Sequence, residues 1–238
     1  MAKHQWNEIS QTLKVENHVK EQPTQILSNL FKLLKKSSFM KLLCFVDLHN
    51  NRAALDEIKK KAKDADLILC AGDFTIFEQG MNDLLREFNK LGPKVLIIPG
   101  NHESPGHLRS AVKGFDSIIF LHQQSYTKEG IAFVGFGDSG FAARTDEFDA
   151  WMRKNRDAWK GKDLILIVHG PPYGTKLDFL HEAHSGSKSS REFIMHFKPK
   201  LVVCGHFHEN AGKEDIVGKT RIINPGAKGR IVNLDYQE

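Results

Sequence analysis

An α/β fold with a mostly parallel half and a more antiparallel half is what this sequence predicts, on three observations. Short apolar runs rich in Val, Ile and Leu recur from about residue 40 onward, and amphipathic stretches separate most of them. That βαβαβα rhythm implies right-handed crossovers and a largely parallel sheet. Neither an internal repeat nor a linker-like stretch divides the 238 residues, a length that fits one large domain.

The elements follow in order. "KLLCFVD" (41–47) reads as a first buried strand, and "RAALDEIKKKAKD" as a helix with Leu55 and Ile58 on one face. "DLILCAGD" is the second strand. The helix after it, "GMNDLLREFNKLG", carries a Leu84, Leu85, Phe88 stripe and stops at Gly92-Pro93. "KVLIIPGN" leads into "SPGHLRSAVKG", where Ser104 is the expected N-cap and Pro105 the first helical residue. "SIIFLHQQSYTKEGIAFVGFG" reads as two strands joined through "TKEG" in a hairpin. A helix over "TDEFDAWMRKNRDAWKG" precedes the buried strand "DLILIVHG"; "HSGSKSS" is a loop, "REFIMHFKP" a short helix and "KLVVCGH" a strand. The tail "GKTRIINPGAKGRIVNLDY" reads as antiparallel strands. Residues 1–38 stand apart as a helical extension divided at Pro23, placed to pack on the core or on a second subunit.

Composition narrows the class. No window approaches the ~18 unbroken apolar residues of a membrane span, and "MAKHQWNEISQ" has no apolar signal core, so the expected location is the cytoplasm. Cys44, Cys70 and Cys204 each lie inside an apolar run without CxxC spacing, which excludes a disulfide scaffold and a cysteine zinc site. The net charge of +5 is mild and scattered: it suits phosphate-bearing ligands and does not indicate nucleic acid.

The ends of the strands carry the chemistry. Five of them finish on Asp47-Leu48-His49, Asp73, Asn101-His102-Glu103, His169 and His206-Phe207-His208. Ligands of open α/β sheets bind beyond the carboxyl ends of the strands, so one pocket can collect all five. Singly, an Asp there is a helix cap and a His a satisfied polar residue; five together point to one site. If the extended backbone persists to His208, the two imidazoles of "HFH" face one spot. Asp47, His49, Asp73, Asn101, His169, His206 and His208 make seven N/O ligands, too many for one tetrahedral ion. They suit two divalent ions sharing a carboxylate, about 3.5–4 Å apart, as used for in-line displacement at phosphorus. Two ions, two carboxylates and one hydroxide leave a single positive charge to attract a phosphate anion. Four imidazoles and an amide fit Mn, Fe, Co, Ni or Zn, with Mn favoured, better than Mg or Ca.

In this order and spacing, "DLH", "GD", "GNHE", "HGPP" and "GHFH" resemble the calcineurin-like metallophosphoesterase superfamily, from about residue 40 to "INPGA" near 227. The stretch from "HSGSKSSREFI" to "INPG" is similar to its small single-domain cytosolic phosphoesterases of prokaryotic type. The resemblance implies two mixed β-sheets sandwiched by helices, a four-layer fold over residues 39–238 behind the extension of residues 1–38. It implies one ion on Asp47, His49 and His208, a second on Asn101, His169 and His206, and Asp73 bridging them. It makes His102 the general acid facing the leaving oxygen. Glu103 either orients His102 or serves as an acid ahead of the helix at Pro105.

The implied activity is hydrolysis of a small phosphate ester, a phosphodiester of a nucleotide-like or related substrate, through a hydroxide held by the metals. The alternatives are a phosphomonoesterase and a non-catalytic scaffold of the same fold. "FTIFEQG" after Asp73 departs from the "GDxxDRG" run of the protein phosphatases, which argues against a phosphoprotein substrate. Tyr173 to Ser190 is expected to border the pocket, with His184 and Ser187 as substrate contacts. A homo-oligomer would form through the N-terminal extension.

Overall fold

The computed structural model describes residues 38–137 and 142–236. The helical extension expected over residues 1–38, and the oligomer contact expected of it, lie outside these residues but for Ser38, which opens a strand. Strand β1 (Ser38–Phe45) is followed by α1 (Arg52–Ala62), β2 (Leu67–Cys70), α2 (Met81–Asn89), β3 (Val95–Ile97), α3 (Pro105–Ala111) and β4 (Ile118–Phe120). Then come β5 (Gln124–Lys128), β6 (Ile131–Phe136), α4 (Asp146–Trp159), β7 (Asp163–Val168), β8 (Phe179–Leu180), β9 (Ala183–His184) and α5 (Lys188–Phe197). The chain closes with β10 (Leu201–Val203), β11 (Glu214–Val217), β12 (Thr220–Ile223) and β13 (Arg230–Tyr236).

Two large mixed sheets result. One has the order β13-β1-β2-β3-β4, parallel except for β13; the other has the order β11-β12-β10-β7-β6-β5, parallel except for the edge strands β11 and β5. Side chains alternate across a strand, and the apolar runs use both faces. In β1 and just beyond it, Met40, Leu42, Cys44 and Val46 join a core with Phe133, Ile165, Ile167 and Val203 of the other sheet. Their neighbours Leu43 and Phe45 pack instead on Leu55, Ile58, Leu84 and Phe88 of α1 and α2. Leu164, Leu166 and Val168 do the same against Trp151 and Phe193 of α4 and α5. The layers are therefore helix, sheet, sheet, helix. Each core large aliphatic holds roughly 2–5 kcal/mol against truncation to Ala.

Local signals set the helix starts. Asn51 caps α1 by accepting from Ala54 N–H at 3.0 Å, and Ser187 caps α5 by accepting from Ser190 N–H at 3.1 Å. Three expectations change. The run "SIIFLHQQSYTK" is two strands: β4 completes the first sheet, and β5 pairs with β6 in the second through the expected hairpin. Helix α5 begins three residues before "REFIMHF", because Ser187 is a good cap. The tail is not a set of mutually antiparallel strands: β12 runs parallel to β10, while β13 crosses over to pair antiparallel with β1.

Candidate metal centre

The carboxyl ends of both sheets meet in a strained knot of loops. The loop after β1 lies along the loop after β2, with Asp47 N–H to Gly72 O, His49 N–H to Asp73 O and Asn50 N–H to Phe74 O, each at 3.1 Å. Asp47, His49, Asn50, Asp73 and His206 all take positive φ, from +43° to +69°. Left-handed backbone at residues other than Gly costs about 1–3 kcal/mol each and persists only where the surroundings over-determine it. The approach is close enough to demand glycine: a Cβ on Gly100 would fall on the Asp73 carboxylate, and one on Gly205 would lie 2.8 Å from Asp47 Oδ2.

Three overlapping groups of ligand atoms lie in this knot, each with its atoms within 4.8 Å of one another: Asp47, His49 and His208; His49, Asp73 and His102; Asp73, His169 and His206. Asn101 joins them, its Oδ1 at 3.0 Å from His169 Nε2. Strand β10 ends at Val203, His206 turns at φ +69°, and His208 opens a 3-10 turn, so the extended backbone does not persist. The two imidazoles consequently join different groups.

The tautomers decide what the cluster can hold. His169 Nδ1 donates to Ala71 O at 2.9 Å and His49 Nδ1 donates to Thr75 O at 3.0 Å, since a carbonyl only accepts. In the neutral rings each Nε2 is then a lone pair. That of His169 faces Asp73 Oδ2 at 3.2 Å as well as the Asn101 oxygen; that of His49 faces His208 Nε2 at 3.2 Å and Asp73 Oδ2 at 3.8 Å. With both rings neutral, this convergence of acceptors suits a bound cation. Histidine bonded through its other nitrogen to a backbone carbonyl is also the usual state of a metal ligand.

Burial works to raise the Asp73 carboxyl; a protonated His169, through its hydrogen bond and charge, would with the His102 N–H outweigh burial and hold the carboxyl below the ordinary range. At Asp47 burial wins over the His169 and His208 charges and the carboxyl is raised. Burial, and beyond it the charge a protonated His169 would carry, lowers His206 to about 4, which keeps it neutral as a ligand must be.

Glu103 is buried, and its oxygens accept from Asp73 N–H (2.9 Å), Gly100 N–H (3.0 Å), Thr75 N–H (2.9 Å) and Thr75 Oγ1 (2.7 Å). Its hydrogen bonds hold the Asp73 turn, and it immediately precedes the α3 cap Ser104. Burial raises its own carboxyl against the Thr75 and Gly100 bonds. His102 donates its backbone N–H to Asp73 Oδ1 at 2.9 Å, and its ring Nδ1 accepts from Phe77 N–H at 3.2 Å. The proton of the neutral ring therefore sits on Nε2, 4.0 Å from Asp73 Oδ2.

His184 is in none of these groups. Ser187 is buried as the α5 cap. His184, on the β8–β9 hairpin, donates from Nδ1 to Asp178 Oδ1 at 2.8 Å and lines a cavity of about 510 Å³ with Thr175, Lys176, Phe179, Lys213 and Asp215. Thr75, Gly100 and Phe77 escaped the sequence reading. For Phe77 the available signal was an apolar pair, "IF", inside a loop.

A cluster of candidate metal ligands, buried at Asp47, Asp73 and His169 and open at His208, lies at the meeting edges of two mixed sheets. The calcineurin-like phosphoesterase family matches residues 40–210, and the chain belongs to that family. It is 29% identical over 208 residues to the uncharacterised protein MJ1162 of Methanocaldococcus jannaschii, covering 82% of this chain and 91% of that protein. Its fold is similar to that of TT1561 of Thermus thermophilus (TM-score 0.67, 15% identity, 83% of this chain and 99% of that one). It is also similar to GAP50, titled the anchor in the inner membrane complex of Plasmodium (TM-score 0.56, 11% identity, 81% and 73%). Among the described residues, no helix is long and apolar enough to cross a membrane.

Proposed function

We propose that this protein hydrolyses a small phosphate ester, a phosphodiester in preference to a monoester, using two divalent transition-metal ions. Asp47, His49 and His208 would hold one ion and Asn101, His169 and His206 the other, with the Asp73 carboxylate between them. One observation carries the reading: the backbone-fixed Nε2 lone pairs of His169 and His49 are aimed at the Asp73 oxygen. When bound, such ions polarise phosphoryl oxygens and bring the acidity of water near neutral. The chain's own groups do the rest. Glu103 fixes the Asp73 turn through two backbone N–H groups and Thr75.

His102 acts on the leaving oxygen through Nε2. The Phe77 N–H holds the ring in its Nε2–H form, a donor to the charge that builds as the P–O bond stretches. Complete proton transfer from a doubly protonated ring would first break that contact. A basic alkoxide needs this help and a nitrophenolate does not. His102→Ala should therefore lower kcat/KM for an alkyl diester by about 10²–10³-fold and cost a nitrophenyl diester far less, while Asp73→Asn abolishes both. Equal losses in the two diesters would remove His102 from leaving-group chemistry. Metal analysis of the purified protein, with Mn²⁺ restoring activity after chelation better than Mg²⁺, tests the ligand set. A metal-loaded protein inert towards mono- and diesters alike would favour a scaffold.

A further inference from the structure

The turn between β2 and α2 carries two costs that the fold itself does not repay. Phe77 and Glu78 take φ of +46° and +64° in succession, and a bulky residue at positive φ is a genuine outlier. The Phe77 side chain is also 71% exposed, with Ile76 beside it at 40%. The turn is nevertheless pinned from every side. Glu103 binds Thr75 through N–H and hydroxyl, and Thr75 Oγ1 accepts from Glu78 N–H at 3.1 Å. The Glu78 carboxylate takes Ser104 N–H at 2.7 Å and pairs with His107 Nδ1 at 2.8 Å. Asn50 Nδ2 donates to Gln79 O at 3.0 Å.

What these clamps present is a flat apolar ring beside His102. The ring centroids are 4.4 Å apart with planes inclined at 37°, and the His102 ring in turn lies 4.7 Å from that of His49. An exposed aromatic face held rigidly next to the group that serves the leaving oxygen suits one occupant: another flat ring, attached to that oxygen. Stacking needs no hydrogen-bond partner, and a ring fixed in advance loses little entropy on binding.

We propose that Phe77 is a stacking platform, and that the ester taken by this site bears a planar aromatic leaving group, a nucleoside base or an aryl ring. The proposal rests on the phosphoesterase reading above. Two matched pairs of ligands, each used as its methyl phosphodiester, test it on manganese-loaded protein: adenosine 5′-monophosphate against ribose 5-phosphate, and benzyl phosphate against cyclohexylmethyl phosphate. Within each pair the phosphate is the same and only the flat ring differs. Affinity, or KM where a compound is turned over, should favour the flat member by roughly ten- to a hundredfold, the usual range of base–aromatic stacking. Preference in the first pair alone identifies a base, and in the second alone an aryl group.

Phe77→Ala keeps the backbone N–H on His102 and should bring the ratio near one, leaving metal content and affinity for the ribose 5-phosphate diester unchanged. Phe77→Trp should keep the preference. A ratio that survives Phe77→Ala overturns the platform. So does an equal fall for both members of a pair, the mark of a ring that only shields His102. Metal-loaded wild-type protein that binds none of the four compounds would instead refute the phosphate-ester site itself, and the platform with it.

Discussion

Two aspartates, Asp73 and Asp178, are alike in burial and differ in what surrounds them. Asp178 is saturated: Gly174 N–H and Gly186 N–H reach Oδ2 at 3.0 Å, while Thr175 N–H and His184 Nδ1 reach Oδ1 at 2.8 Å. Every contact is a donor, so the carboxylate is complete and serves to tie the β8–β9 hairpin to the loop after β7. Asp73 receives the His102 N–H on Oδ1, whereas Oδ2 faces the fixed acceptor nitrogens of His169 and His49. A buried charge costs free energy unless it is paired. Asp178 is paired within the chain by donors alone, and the proposed ions would pair Asp73.

The comparison breaks or holds on substitution. Asp73→Asn should take activity to background and remove bound metal, with little change in the thermal stability of metal-free protein. Asp178→Asn should do the reverse, keeping metal and most activity per folded molecule while losing about 2–4 kcal/mol of stability, since a carboxylamide cannot accept all four donors. Thermal unfolding with and without chelator sharpens the contrast. Metal at a hundred times its Kd adds about 2.7 kcal/mol, or roughly 5–10 °C for a chain of this size. Wild type and Asp178→Asn should show that shift, and Asp73→Asn should not.

Glu103→Gln comes next, because Glu103 is saturated like Asp178 but grips the Asp73 turn. It should cost about 2 kcal/mol and lower kcat or metal affinity by roughly ten- to a hundredfold; an unchanged kcat and metal content would show that its grip on the Asp73 turn does not matter to the site. The smallest effect is expected at the cysteines. Burial pushes the Cys44 thiol up to about 12 and Cys70 well above its ordinary value, and Cys204 is buried too. None should react with maleimide at pH 8 until the chain unfolds; rapid labelling of the native protein would contradict this burial.

Much of this was legible because strand ends and ligand chemistry are local. The apolar runs marked the strands, and the residue types just beyond them announced a shared edge. What the runs could not carry was allegiance to one sheet or the other. Nothing between Phe120 and Gln124 says that the chain changes sheets there, since both strands meet apolar surface wherever they go. The divergence of His206 from His208 depends on a left-handed residue after Gly205, and a period-two pattern has no term for that. Glu103 was visible as a carboxylate, but its donors come from a turn 28 to 30 residues earlier in the chain as well as from Gly100 nearby. Ser187 signalled loop chemistry correctly as a helix cap, which its composition alone could not separate from a ligand contact.

The pairing of β13 with β1 ties folding to the order of synthesis. β1 is the first described strand to emerge and β13 the last, yet they lie side by side from Ser38↔Tyr236 to Cys44↔Arg230. Until β13 arrives, one flank of β1 is an unpaired edge, with Leu42 and Cys44 facing one core and Leu43 and Phe45 the other. Such an edge is a template for pairing with a neighbouring chain. A nascent or shortened chain that already holds every ligand residue through His208 still carries that open edge, so chaperone protection or aggregation is decided at the last strand.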